Sequence, residues 1–336
     1  MAAFIQSLVS DSRRDDGKHF RVDSIYRYLF KLGRDNRLPA DFRFEVACRM
    51  KTLRRRRRWY SGWIKGIKVR YTIAIIVLVL LSTSSPASDL AREQRIALEL
   101  EDAILTGYPL RLQSGQLMFF AIHTESASEK LLGGAILLHG RGANPNWIDV
   151  VYPLRTKLPE SGWETLSIQL PITAPGAPEE GYQALIPEAF PRIDAAIEFL
   201  RQRQIKNIVL LGHSLGARMA LEYLANNADQ AVAAVVAVGL PASRDKPVSG
   251  TLLALQKVKL PLLDIYGSQD IGPVLSTLTE RAAEARRAQN RDYRQMEVPG
   301  ADHFFSGLED ELVQRVRAWL NRVIADRRAV PAAGKL

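Results

Sequence analysis

Residues 210–221 read LLGHSLGARMAL. Ser214 stands between Gly212 and Gly216, at the end of the apolar run IVLL and at the start of the small-residue, helix-like stretch LGARMALEYL. That order predicts a strand, a tight turn and a helix, with the serine at the apex. A turn this tight forces unfavourable backbone angles on the serine and leaves no room for side chains two positions to either side, which is where the glycines stand. Two readings follow: Ser214 is a nucleophile presented by the turn, or it caps the following helix through its hydroxyl.

A serine hydroxyl is a weak nucleophile at neutral pH, so the first reading requires a histidine base held by a carboxylate. In a parallel sheet both arrive from loops at the carboxyl ends of later strands. Of the five histidines only His303 follows Ser214; it lies in EVPGADHFF, after the last predicted strand. Asp270 closes PLLDIYGSQD, just beyond a buried-looking strand. Asp264 is the rival acid, but it falls inside that strand, where a carboxylate supports the sheet edge or a neighbouring loop. Asp302 adjoins His303, and adjacent residues in an extended loop point apart.

Acyl chemistry also needs two backbone N–H groups aimed at the developing oxyanion. Leu215, directly after the serine, supplies one. The other is assigned to the backbone of Arg141 in the glycine-rich continuation HGRGANPNW of the strand AILLHG. The Arg141 side chain either grips an anionic group or is a solvated or helix-capping arginine, and His139 is expected to order the loop.

Around these points short apolar runs alternate with helical patterns, which predicts an α/β fold with a mostly parallel sheet and helices on both faces. Strands are expected at 133–140, 163–171, 206–214, 231–241, 259–267 and 292–300, after a hairpin turning at Ser114-Gly115. Helices are expected at 149–158, 184–203, 215–226, 273–288 and 308–326. In the last, Leu312, Val316, Trp319, Leu320 and Val323 share one stripe, which marks a core face.

Taken together, the strand-HG-x loop, the GHSLG elbow, the GSQD acid and the GADHFF histidine resemble the α/β-hydrolases, in that superfamily's order, over nearly the whole body. More narrowly, HGRGANPNWIDVVYPLRTKLPESGWETLSIQLP with LDIYGSQD resembles a family of bacterial exported α/β-hydrolase-like proteins known only as a domain of unknown function. The resemblance implies an α/β-hydrolase sheet with a small cap or none, and a Ser214–His303–Asp270 triad; it brings no substrate. The segment PITAPGAPEEGYQALIPEAF (171–190) is the candidate small lid, with Tyr182, Leu185 and Phe190 as an apolar wall or as helix packing. SRDKPVSGTLLAL (243–255) is a second candidate pocket wall.

The charge is uneven. Of a net +10, residues 1–70 carry +12, from 19 Lys+Arg against 7 Asp+Glu, so the remainder is near neutral at −2. The run Arg54 to Arg58, the apolar stretch IAIIVLVLLS (73–82) and the small residues STSSPASD read as an export signal cut after Ala87. The apolar stretch is shorter than the ~20 residues that span a bilayer, so an uncleaved anchor attached through residues 71–85 is the alternative. The organisation expected is a basic extension (1–49), a signal peptide or anchor (50–88), the hydrolase domain (89–326) and a tail (327–336). Met50 is a candidate true start. The one cysteine, Cys48, precedes the cut, so the exported body has no thiol for disulfides, nucleophilic attack or thiolate metal sites.

These features lead to an exported serine hydrolase, carboxylesterase-like, periplasmic or secreted after cleavage or else anchored in the inner membrane. Its partner would be a small-molecule ester or lipid-like substrate. Two other readings stand beside it: a catalytically silent binding or envelope-assembly module on the same fold, and a nucleic-acid binder resting on the arginine run alone, which falls if the leader is removed. No nucleotide, flavin or metal motif occurs, so no cofactor and no nucleic acid are expected.

Overall fold

The structure is a computed structural model that describes residues 88–227, 231–244 and 249–329. The leader, with the proposed extension, signal, cleavage bond and Cys48, lies outside the described residues, as does the end of the tail from residue 330.

An eight-stranded sheet forms the centre. Its strands are β1 (Tyr108–Ser114), β2 (Leu117–Thr124), β3 (Gly133–Leu138), β4 (Trp163–Ile168), β5 (Ile208–His213), β6 (Val232–Val238), β7 (Leu262–Gly267) and β8 (Tyr293–Val298). Their order is β1-β2-β4-β3-β5-β6-β7-β8. The β1–β2 and β2–β4 pairs are antiparallel and every other pair is parallel. Strands β3 to β7 are buried along their whole length, as expected when helices cover both faces.

Alternate side chains feed two cores. On one face Ile136, Leu138 and Leu210 meet α3 (Glu179–Gln202), α4 (Leu215–Asn226) and α5 (Gly250–Leu255). On the other, Ala135, Leu137, Val209 and Leu211 meet α2 (Val151–Lys157) and α8 (Glu309–Ala329). The predicted stripe of α8 is buried as a set.

The strands and the hairpin lie where the sequence places them, each within a few residues. Four elements differ. A helix not foreseen, α1 (Leu90–Glu101), is capped by the Asp89 carboxylate, which accepts from Arg92 N–H at 2.9 Å. Helix α3 begins at Glu179 rather than 184, so most of the proposed lid is its first half. The helix expected at 273–288 is two, α6 (Gly272–Leu275) and α7 (Leu278–Arg287), parted at Ser276–Thr277. Finally, α8 continues to Ala329, into the expected tail.

The second candidate pocket wall is corrected too. Leu252 and Leu255 of α5 are buried in the core against α4, and the Thr251 hydroxyl donates to Pro241 O at 2.9 Å. Thr251, Leu252 and Leu255 of that segment are therefore scaffold. Among the described residues no helix is long and apolar enough to cross a membrane.

Candidate active site

Ser214 joins β5 to α4 with φ 52° and ψ −115°, a left-handed conformation that a non-glycine residue adopts only when its surroundings enforce it. The enforcement is visible. Ser214 N–H donates to Val238 O at 2.9 Å, and Arg218 N–H to Ser214 O at 3.2 Å. A Cβ on Gly216 would lie 2.2 Å from Leu138 O, and one on Gly212 would lie 2.4 Å from Ala217 N. Both glycines are thus required by close backbone approach. The serine hydroxyl makes no capping bond to α4, so the helix-cap reading of Ser214 is not the one the fold uses.

The hydroxyl is instead 3.0 Å from His303 Nε2. On the far side of the ring, His303 Nδ1 is 2.6 Å from Asp270 Oδ1. A carboxylate only accepts, so Nδ1 carries the proton and Nε2 is left to accept from the serine. Asp270 is fixed in turn: Ile271 N–H donates to Oδ1 at 2.8 Å and Gly267 N–H to Oδ2 at 3.3 Å. Ser214, Asp270 and His303 come from the turns that follow β5, β7 and β8, and the sheet brings them together at its carboxyl end.

The rival carboxylate does other work. Asp264 is fully buried and pairs through both oxygens with Arg281, at 2.8 and 3.2 Å, while the Tyr293 hydroxyl donates to it at 2.6 Å. It ties α7 to the β7–β8 edge, the supporting role expected of it. Asp302 accepts from Phe304 and Ser306 N–H at 2.9 and 3.0 Å, so it shapes the His303 loop without touching the imidazole.

After β3 the chain turns at Gly140–Ala143, with Ala143 N–H on Gly140 O and Gly142 at φ +69°, a type II arrangement. Arg141 takes the second position of that turn, whose N–H is not used by the turn itself. Leu215 opens α4, so its N–H is among the donors without an intrahelical partner. The Arg141 guanidinium lies 3.6 Å over the Tyr182 ring and 3.1 Å from Glu179 in the first turn of α3. Its side chain is therefore a partly exposed strap between two elements.

Two histidines that no role in the triad requires hold the loops. His139 donates from Nδ1 to Gly140 O at 2.9 Å and accepts Leu170 N–H at Nε2, 3.0 Å away, which orders the loop as expected. His213 donates from Nε2 to His303 O at 3.0 Å and sets its ring 4.9 Å from that of His303. Burial pushes both down to about 4, so both are neutral at ordinary pH.

Sequence reasoning placed Pro171 and Ile172 in the candidate lid but missed the helix that holds them. Leu170, Pro171 and Ile172 form a wall of the cleft beside Ser214, and α1 pins it. Glu93 accepts from Ile172 N–H at 3.2 Å and from Arg192 at 2.7 Å, Asp89 N–H donates to Ile172 O at 2.6 Å, and Arg92 reaches Thr173 O at 2.8 Å. The one available signal was an aspartate capping an apolar-acidic stretch at 89–101. Of the proposed apolar wall, Tyr182 and Leu185 line the cleft, whereas Phe190 packs edge-on against Tyr223 in the helix layer.

A family model described as "Protein of unknown function (DUF3530)" matches residues 82–189 and 173–322. The chain belongs to this family. Among curated proteins nothing matches. Solved structures similar in fold include an α-β serine hydrolase homologue from Coxiella burnetii, at 20% identity and TM-score 0.50, covering 65% of this chain and 98% of that one. Est1E from Butyrivibrio proteoclasticus with ferulic acid bound is similar at 14% identity and TM-score 0.52, covering 64% and 99%. The Pyrococcus furiosus esterase Pf2001 is similar at 16% identity and TM-score 0.52, covering 65% and 93%. At such identities these likenesses establish the α/β-hydrolase fold of this DUF3530 member and leave its chemistry to its own residues.

Proposed function

We propose that this DUF3530 protein is a serine hydrolase acting on carboxylic esters of small molecules, exported to the periplasm or beyond. The observation that carries the reading is the continuous line Ser214 Oγ, His303 Nε2, His303 Nδ1, Asp270 Oδ1, with steps of 3.0 and 2.6 Å on a serine held at φ 52°. Backbone strain of about 1–3 kcal/mol at a single residue is retained where a function uses it.

In this reading Ser214 Oγ attacks the ester carbonyl carbon while its proton passes to His303 Nε2. Asp270 keeps the imidazole in the right tautomer and stabilises the imidazolium. The N–H groups of Leu215 and Arg141 hold the oxyanion. Collapse of the tetrahedral intermediate breaks the bond to the alcohol, which leaves with the proton from His303. Water, deprotonated by the same nitrogen, then cleaves the acyl-enzyme and restores Ser214. A thioester, an amide, or transfer of the acyl group to another acceptor uses the same residues.

Support for the ester class comes from the names carried by proteins of similar fold, which include the Pyrococcus furiosus esterase Pf2001 and a serine hydrolase homologue. Support for export comes from the basic run and the apolar stretch 73–82 ahead of the domain. The test is turnover of p-nitrophenyl esters by the full chain beside Ser214→Ala and His303→Ala. Expected is hydrolysis lost by about 10³-fold or more in each variant; equal rates in all three would overturn the reading.

A further inference from the structure

The cleft beside Ser214 lies between the two elements that carry the oxyanion donors, since Gly140, Gly142 and Leu215 all line it. His303 does not line it. In an ester bound with its carbonyl oxygen between those donors, the alcohol must leave on the side of His303, because that imidazole protonates it. The group that enters the cleft is therefore the acyl group.

The cleft is tight: the space between its walls is about 200 Å³, part of it open to solvent, and in this conformation it leaves no room for a water-sized sphere. Gly142 and Leu215 reach solvent, whereas Leu185 and Met219 are fully buried. Leu215 and Met219 sit four residues apart on one face of α4, and Tyr182 and Leu185 three apart on one face of α3, so each helix offers one residue near the mouth and one at the end.

The remaining side does not yield easily either. Leu170 and Ile172 belong to the wall that α1 clamps, and Arg192 reinforces it by donating to Gln169 O at 2.9 Å. Beyond Tyr182, the Arg141–Glu179 ion pair ties the turn after β3 to α3.

We propose that Leu185 and Met219 are the specificity-determining end of an acyl-binding cleft, and that the substrates are esters of short apolar acids, acetyl to butyryl, rather than long-chain lipids. The inference rests on the serine-hydrolase reading and narrows its substrate class.

The test is the profile of kcat/KM for p-nitrophenyl acetate, butyrate and octanoate with the full chain, repeated in Met219→Ala and Leu185→Ala. Phosphonylation of Ser214 by a fluorophosphonate serves in every variant as the gauge of a competent fold. Expected is octanoate at least about tenfold below butyrate in the wild type, the discrimination that a few crowded methylenes provide. In Met219→Ala the octanoate-to-butyrate ratio rises by about tenfold, and Leu185→Ala gives the same shift if the first variant does not fold. Octanoate equal to or better than butyrate in the wild type overturns the inference and leaves the hydrolase intact. So does an unchanged ratio in a variant that still phosphonylates. Absence of both phosphonylation and turnover in the wild type overturns the hydrolase reading, and the inference with it.

Discussion

Asp264 and Asp270 lie six residues apart on one strand and its following turn, yet their environments assign them opposite tasks. Asp270 is buried against His303 and held by two backbone N–H groups, so Asp270→Asn keeps the shape and loses the carboxylate that fixes the imidazole tautomer. Ester turnover should fall by about 10³- to 10⁴-fold with the urea midpoint nearly unchanged. Asp264 and Arg281 are both fully buried, and breaking such a pair from one side leaves an uncompensated charge costing about 3–5 kcal/mol. Asp264→Asn should therefore lower the urea midpoint sharply, while the protein that remains folded keeps its turnover. The reverse pattern would exchange their roles. Order and spacing carried this distinction at the sequence level, because a carboxylate inside an apolar run has to be buried and one just past a glycine stop is free to face a loop. What spacing did not supply was the partner of Asp264, since periodicity places Arg281 on a helix without showing which strand residue that helix faces.

The elements that were hard to read are those whose helical signal is weak or mixed. The buried stripe of α1 consists of Glu93 and Ala97, so a search for apolar periodicity passes over it, although Glu93 is one of the most connected side chains near the cleft. Helix α3 has no side-chain cap at Pro178, and α6 and α7 part where Thr277 turns its hydroxyl back to Pro273 O. Strands β3 and β5 to β7, by contrast, were legible because burial on both faces makes them largely apolar runs.

Two histidine links between elements give a pH prediction. His139 joins the ends of β3 and β4 and His213 joins β5 to the His303 loop, and burial lowers both from 6.5 to about 4. Between those values the unfolded chain binds protons that the folded chain refuses, so stability falls as pH drops from about 6.5 to 4 and levels off below. The loss is on the order of 3 kcal/mol for each ring. Denaturant midpoints measured across that window should decline steadily, and His139→Asn should flatten the slope. A midpoint independent of pH from 7 to 4.5 would contradict the neutral links.

At the scale of the whole molecule the charge divides the chain, with +12 in the first seventy residues and −2 in the rest. Ser88 is buried, and Asp89 N–H already bonds Ile172 O in the cleft wall. Cleavage after Ala87 would thus release a domain whose cleft wall stays clamped. Amino-terminal sequencing of the protein from an envelope preparation should read SDLAREQ; an intact Arg54 to Arg58 run on the mature chain would favour an anchor instead. The architecture as a whole was readable because eight strands, one serine turn and two later loops impose a fixed chain order on a triad. The cleft was not, because its shape depends on how α1, α3 and the 169–173 segment meet.

The central claim is that Ser214 is a nucleophile activated by His303 and Asp270. The most direct measurement is intact-mass and peptide-level detection of a fluorophosphonate adduct on the full chain, beside Ser214→Ala. The account predicts one adduct per chain, mapped to the peptide carrying Ser214 and abolished by the substitution. A folded protein that takes no label, or takes it equally in Ser214→Ala, would contradict it.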